Sequence, residues 1–122
     1  MLKILRFENG GLEFLYPNTK GQAPTPRYQH TMVHYPKENL LIVYGGRNDS
    51  MSALRGTYTY SNLVLFNLEN LCWMTVNAAG PNTGGARFSH CAAVHKDRML
   101  VFGGLRDSAF VNDDMRILEL SK

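Results

Sequence analysis

Two short stretches carry residue types that could do chemistry. Residues 25–30 read TPRYQH and residues 85–90 read GARFSH. Each sets an Arg before an aromatic, with a His two places further on. Arg27 and Arg87 are 60 positions apart, and so are His30 and His90. An Arg carries five hydrogen-bond donors, and a His titrates near neutrality. The pattern is therefore either a duplicated catalytic constellation or one structural unit used twice.

The remaining histidines bear on that choice. His34 lies four residues after His30, while His95 lies five after His90. On a strand, offsets of four and five point to opposite faces. A repeated His pair holding a metal is therefore not expected. Cys72 and Cys91 sit outside any CxxC spacing and are expected to be buried thiols. No HExxH, GxSxG, GxxxxGK[ST] or GxGxxG pattern occurs. Nothing in the spacing calls for a metal or a cofactor.

The elements that position these residues repeat with them. After PRYQH come TMVHY, a turn at PKEN, and LLIVYGG. After GARFSH come CAAVH, a turn at KDR, and MLVFGG. Val, Ile, Leu, Tyr and Phe favour a pleated, buried surface. The closing pairs, Gly45-Gly46 and Gly103-Gly104, permit backbone angles that other residues resist. SNLVLFNL then lines up with DDMRILEL. LCWMTV follows in the first copy, with Trp73 inside it. At the front, Phe7 and Phe14 are spaced as Phe66 and Trp73 are, so MLKILRF and LEFLY read as the last two segments of an earlier copy. No segment shows a capped 3.6-residue period. The expected count is two strands, then four, then three.

A unit of about 50 to 60 residues with four short strands reads as a propeller blade. The ordered set resembles kelch repeats. It comprises an Arg at the first strand (Arg27, Arg87) and Gly-Gly closing the second (Gly45-Gly46, Gly103-Gly104). A small acidic or amide residue opens the third (Asn62, Asp114), and a Trp lies in the fourth (Trp73). The resemblance covers nearly the whole chain. It implies an all-β fold, a kelch-type β-propeller segment of four-stranded antiparallel blades. The expected division is residues 1–20 as the end of one blade, 21–79 as a complete blade and 80–122 as most of a further one. Under it Arg27, Arg87, His30 and His90 recur because the blade recurs, and Trp73 is expected to pack between blades. About two and a quarter blades are present, where kelch propellers close with five to seven.

Composition narrows the function. Of 122 residues, 44% are hydrophobic and 19% charged, a globular balance. The net charge is only +3 and no run of five like charges exists, so no nucleic-acid footprint is expected. The longest apolar run, Leu40 to Tyr44, is far short of the roughly 18 residues of a membrane span. No secretory leader is read at MLKILRF, and the chain is expected to be cytoplasmic.

The resemblance implies a non-catalytic scaffold that binds a partner protein through its propeller loops. It also leaves open the regulatory kelch region of a larger enzyme, such as a serine/threonine phosphatase, or an actin-binding protein. Between Gly46 and Asn62 lie 15 residues, against nine between Gly104 and Asp114. Loops on a rigid scaffold carry recognition, and Arg and Tyr are enriched at hot spots. The expected partner-binding residues are Arg47, Arg55, Tyr58, Tyr60, Arg106 and Phe110. Tyr58 and Tyr60 also read as the start of a long third strand. Unpaired strand edges at the two ends predict self-association.

Overall fold

Alternation decides where each side chain of the apolar runs goes. In a computed structural model, which describes residues 2–49, 59–76, 85–106 and 110–121, these runs pair as short antiparallel strands. β1 (Ile4–Glu8) and β2 (Gly11–Leu15) form a hairpin. β3 (Thr31–Tyr35), β4 (Leu40–Tyr44), β5 (Leu63–Asn67) and β6 (Cys72–Val76) form a four-stranded sheet in sequence order. β7 (Cys91–His95), β8 (Arg98–Phe102) and β11 (Met115–Glu119) form a three-stranded sheet with the same order of pairing. The fold is an all-β, kelch-type propeller segment, and we refer to these sheets as the first, central and third blades.

The strand positions follow the repeat. The third strand of the central blade begins at Leu63, so Tyr60 precedes it, and Tyr58 lies outside the described residues. A feature the sequence did not signal lies after Gly104. β9 (Leu105–Arg106) pairs with β10 (Phe110–Val111) as a small hairpin.

Strand register assigns the faces. Tyr35 pairs with Leu40, Ile42 with Leu65, and Tyr44 with Leu63, so these six share one face of the central blade. Met99, Val101, Ala92, Val94 and Leu118 share one face of the third blade. The two faces meet in a common core, where Tyr35, Ile42, Tyr44, Met99 and Val101 are all but sealed from water. Burying such side chains is worth about 1.5–3 kcal/mol each. The opposite face of the central blade buries Val43, Val64 and Phe66. Trp73 on β6 lies half-buried with its ring 4.5 Å from that of Phe66.

The outer faces differ. Leu5, Phe7, Leu12 and Phe14 share one face of the first hairpin and are exposed. Phe102, Met115 and Ile117 share the far face of the third blade and are exposed too. Cys91 lies on that same face. It is therefore exposed rather than buried, a correction to the expectation for the thiols, while Cys72 is half-buried. Both cysteines are free. No helix among the described residues is long and apolar enough to cross a membrane.

Backbone bonds fix how consecutive blades dock. The Gly46 N–H donates to the Arg87 carbonyl and the Ser89 N–H to the Gln29 carbonyl, both at 2.9 Å. Tyr44 Oη donates to the Gly85 carbonyl at 2.6 Å. At the hairpin end, Tyr35 Oη donates to Asp97 at 2.5 Å and Lys37 Nζ lies 3.3 Å from the same carboxylate. β3 and β7 run close to one another as the inner strands.

Candidate functional site

The repeated motif residues converge on one another. Arg27 enters β3 with its guanidinium turned back to the end of β4. Its Nη1 donates to the Gly45 carbonyl and to Asn62 Oδ1, each at 3.0 Å, and its Nε donates to the Thr25 carbonyl at 3.3 Å. Arg87 does the same in the third blade. Its Nη1 donates to the Gly103 carbonyl at 2.9 Å, and it pairs with Asp114 at 3.3 and 3.4 Å. Thus the Arg, the Gly-Gly and the small acidic or amide residue are one hydrogen-bonded unit. The Arg satisfies a strand-end carbonyl and pins the start of the third strand.

Gly45 has φ +68, and a Cβ there would lie 2.5 Å from the Arg87 carbonyl and 2.7 Å from the His90 ring. The next blade approaches too closely for any side chain. Gln29 and Ser89 also hold left-handed backbone, at φ 57 and 56, without being glycine.

The two histidines differ. His90 is buried, with Nε2 2.8 Å from Thr31 Oγ1 and its ring edge-on to Tyr44. Its Nδ1 is buried without a hydrogen-bond partner among the described residues. Burial first, and the Arg87 charge second, push its pKa down to about 4. His30 is exposed, and desolvation followed by the Arg27 charge lowers its pKa as well. His34 and His95 lie on opposite faces of their strands, since His34 pairs with Leu41 and His95 with Arg98. Among the described residues no group of three or more His, Cys, Asp or Glu side chains is disposed to hold a metal.

A second cluster forms at the loop end. Arg47 bridges Tyr28 on one side and Thr59 on the other. Its guanidinium lies 5.6 Å from the centre of the Tyr28 ring and 4.5 Å from that of Phe88 in the next blade. Its Nε and Nη2 donate to Asp49 Oδ1 at 2.9 and 2.6 Å, and Tyr28 Oη donates to the same carboxylate. These bonds hold the Asp49 pKa below the usual carboxylate range, the Tyr28 bond contributing most. The Arg27 guanidinium stacks 4.0 Å from the centre of the Tyr60 ring, and Thr25 Oγ1 donates to Tyr60 Oη. Asn48 Nδ2 donates to the Pro26 carbonyl at 2.7 Å. Pro26, Arg27, Tyr28 and Asn48 line a cleft of about 310 Å³.

Of the residues singled out for partner binding, Arg47 and Tyr60 come together here, beside Arg27. Arg106 lies on β9, exposed. Phe110 lies on β10, its side chain outside the described residues, as are Arg55 and Tyr58 altogether. Sequence reasoning missed Tyr28, Asn48 and Asp49. The signal available was the aromatic in each Arg–aromatic–x–His stretch.

Comparisons with known proteins agree with this geometry. The sequence profile of the KLHDC2/KLHL20/DRC7 Kelch-repeats domain matches residues 4–122. Host cell factor of Drosophila melanogaster is 33% identical over 94% of this chain and 8% of its own length. Kelch domain-containing protein 3 of Bos taurus is 33% identical over 80% of this chain and 24% of its own. A probable serine/threonine-protein kinase of Dictyostelium discoideum is 32% identical over 69% of this chain and 6% of its own. The chain thus spans less than a quarter of the length of each of these relatives.

Proposed function

Since the chain belongs to the kelch-repeat family, whose domains are generally protein-interaction modules, we propose that it is a non-catalytic scaffold binding a partner protein through its loop end. The observation that carries this is the Arg47 cluster. Two aromatic rings from successive blades, Tyr28 and Phe88, flank one guanidinium, and Asp49 fixes it. Aromatic rings, and a guanidinium already held by hydrogen bonds, lose little further entropy on binding, and Tyr and Arg are enriched at hot spots. Asp49 and Thr59, the described residues on either side of Arg55 and Tyr58 in the sequence, both meet Arg47, and β9, with Arg106, is bridged to Phe88 beside it.

The test is isothermal titration against a partner recovered with the chain as bait. Arg55→Ala with Tyr58→Ala weakens binding by about tenfold or more, with the melting temperature unchanged. Unchanged affinity overturns the assignment to this end.

A second reading rests on the company the sequence keeps. The kinase relative carries the matching region as a small part of a much longer chain. In that reading the segment is the regulatory region of a larger enzyme, a kelch-containing phosphatase or another, and supplies substrate or partner contacts rather than catalysis. Three narrower proposals go with either reading. The blade divisions are 1–20, 21–79 and 80–122. The protein works in the cytoplasm. The exposed apolar faces of the first and third blades drive self-association, which light scattering tests; a monomer at working concentration overturns it.

A further inference from the structure

Consecutive blades of this chain meet through unlike faces. Tyr44, Leu63 and Leu65 lie on the face by which the central blade receives its neighbour. Val94, Met99, Val101 and Leu118 lie on the face by which the third blade docks there. Each blade thus carries a receiving face and a docking face, built from alternate residues of the same strands.

The repeat register says which face is which where no neighbour is present. Phe102 precedes Gly103-Gly104 as Tyr44 precedes Gly45-Gly46. Met115 pairs with Phe102 as Leu63 pairs with Tyr44, and Ile117 pairs with Leu100 as Leu65 pairs with Ile42. Phe102, Met115 and Ile117 are therefore the receiving face of the third blade, and they are exposed. At the other end of the row, Phe7 stands seven residues before Phe14 as Phe66 stands seven before Trp73. Leu118 holds the place of Phe66 in the third blade, since it pairs with Met99 as Phe66 pairs with Leu41, and it packs against the shared core. Phe7, with Leu5, Leu12 and Phe14 beside it, is therefore a docking face, and it too is exposed. A hairpin of two strands is marginal in water on its own, and a contiguous exposed apolar face marks a contact site.

We propose that the first hairpin of one copy docks on the third blade of a second copy, head to tail. This rests on the self-association reading and names the faces that meet. The junction repeats the packing that the chain already builds between its central and third blades, with Phe7 in the part of Leu118. Two like faces meeting about a two-fold axis would need a packing that the described residues nowhere show. In the lone chain Phe7 stays in water and is covered only where copies meet. Because the two faces differ, the contact is heterologous, and each copy keeps one face for the next.

The test is complementation between two variants of the 122-residue chain, read by light scattering at a concentration where the parent associates. Phe7→Glu spoils only the docking face, and Ile117→Lys spoils only the receiving face. Both side chains are exposed, so the fold is kept, while an unpaired charge in the junction is costly. Each variant alone is expected to be a monomer, its self-affinity weakened about tenfold or more. An equimolar mixture is expected to form a one-to-one pair, since one variant keeps the docking face and the other the receiving face. Leu12→Glu and Met115→Lys serve if either first choice does not fold. If Phe7→Glu still pairs with itself and Ile117→Lys does not, two receiving faces meet and the proposal falls. The converse result assigns two docking faces and overturns it as well. If both variants associate like the parent, the junction lies elsewhere, and the self-association reading stands without it. A monomeric parent overturns both, and the two faces are then covered by other blades or another protein.

Discussion

The central blade and the elements before and after it in the sequence carry similar apolar residues at matching positions, with opposite fates. Phe66 is 0% exposed and its counterpart Phe7 is 77% exposed. Tyr44 is 0% exposed and its counterpart Phe102 is 50% exposed. Leu63 is 8% exposed and Met115 is 58% exposed. Local sequence and strand pairing do not differ enough to cause this. What differs is the surroundings: one face of the central blade packs on the third blade, and Val43, Val64 and Phe66 are buried on the other. A blade in a repeat array draws much of its stability from its interfaces, and burial here is a property of position in the row.

The sharpest way to break this comparison is to truncate matched aromatics. Phe66→Ala leaves a cavity in a sealed layer and costs about 3–5 kcal/mol. Phe7→Ala removes a side chain already in water and costs less than about 1 kcal/mol. Urea denaturation of both variants reads the difference. Equal costs would mean that Phe7 is covered in solution, by a second copy of the chain or otherwise.

Matched glycines separate backbone strain from crowding. Gly45 and Gly103 have nearly the same φ, +68 and +70. A Cβ on Gly45 meets the Arg87 carbonyl at 2.5 Å, whereas one on Gly103 has, among the described residues, the Asn112 carbonyl oxygen as its nearest neighbour at 3.6 Å. Gly103→Ala then costs only the left-handed backbone term, about 1–2 kcal/mol. Gly45→Ala adds displacement of the next blade, for about 2–4 kcal/mol in total. If the two cost the same in thermal melts, the docking of the two blades is looser than the 2.9 Å bond from Gly46 to Arg87 requires.

The same contrast explains what the sequence disclosed and what it withheld. The strands were legible because LLIVY and MLVF alternate or run apolar between turn residues. The order Arg, Gly-Gly, Asn or Asp was legible because those residues bond to one another within a blade. The exposure of Cys91 was not, because Cys91 and its counterpart Thr31 occupy the same place and only a neighbouring sheet distinguishes them. The half-burial of Trp73 was hidden for the same reason. Gln29 and Ser89 gave no warning of left-handed backbone, since neither is a residue that prefers it. At the candidate site, the Asn62–Asp114 difference was visible as letters. Its meaning needed Arg27 to be seen bonded to one and Arg87 to the other.

A pH series sharpens the comparison of the two histidines. The His90 pKa in the folded protein is about 4, below the ordinary value near 6.5. As pH falls below 6.5, the unfolded chain takes up a proton before the folded one does. The stability held at neutral pH is therefore complete above about 6.5 and lost progressively towards pH 4, by about 1–3 kcal/mol. His30 is exposed and contributes less. Urea midpoints at pH 7 and pH 5 measure the loss, and His90→Gln flattens it. A parent protein no more acid-sensitive than His90→Gln would place the titrating group elsewhere.

The smallest effect is expected where two blades touch through water-accessible polar groups. Tyr35 Oη reaches across from β3 to Asp97 in the turn of the next blade, while the matching residue of the third blade, His95, is exposed. Tyr35→Phe keeps the buried ring and deletes only the hydroxyl. Asp97 keeps Lys37 and partial access to water, so the loss is about 0.5–1.5 kcal/mol. The variant has a second signature. In the parent the Tyr35 hydrogen bond, and then Lys37, hold the Asp97 carboxyl below its usual range. A depressed carboxyl pKa gives stability that is present above the unfolded value and lost as pH falls through the folded one. Without the hydroxyl, the Asp97 pKa rises towards the ordinary value, and this part of the acid dependence shrinks. An NMR titration of Asp97 reads it directly. If the titration does not move, the bond between Tyr35 and Asp97 is not formed in solution, and the two blades are joined at this end by the apolar core and the Lys37–Asp97 pair.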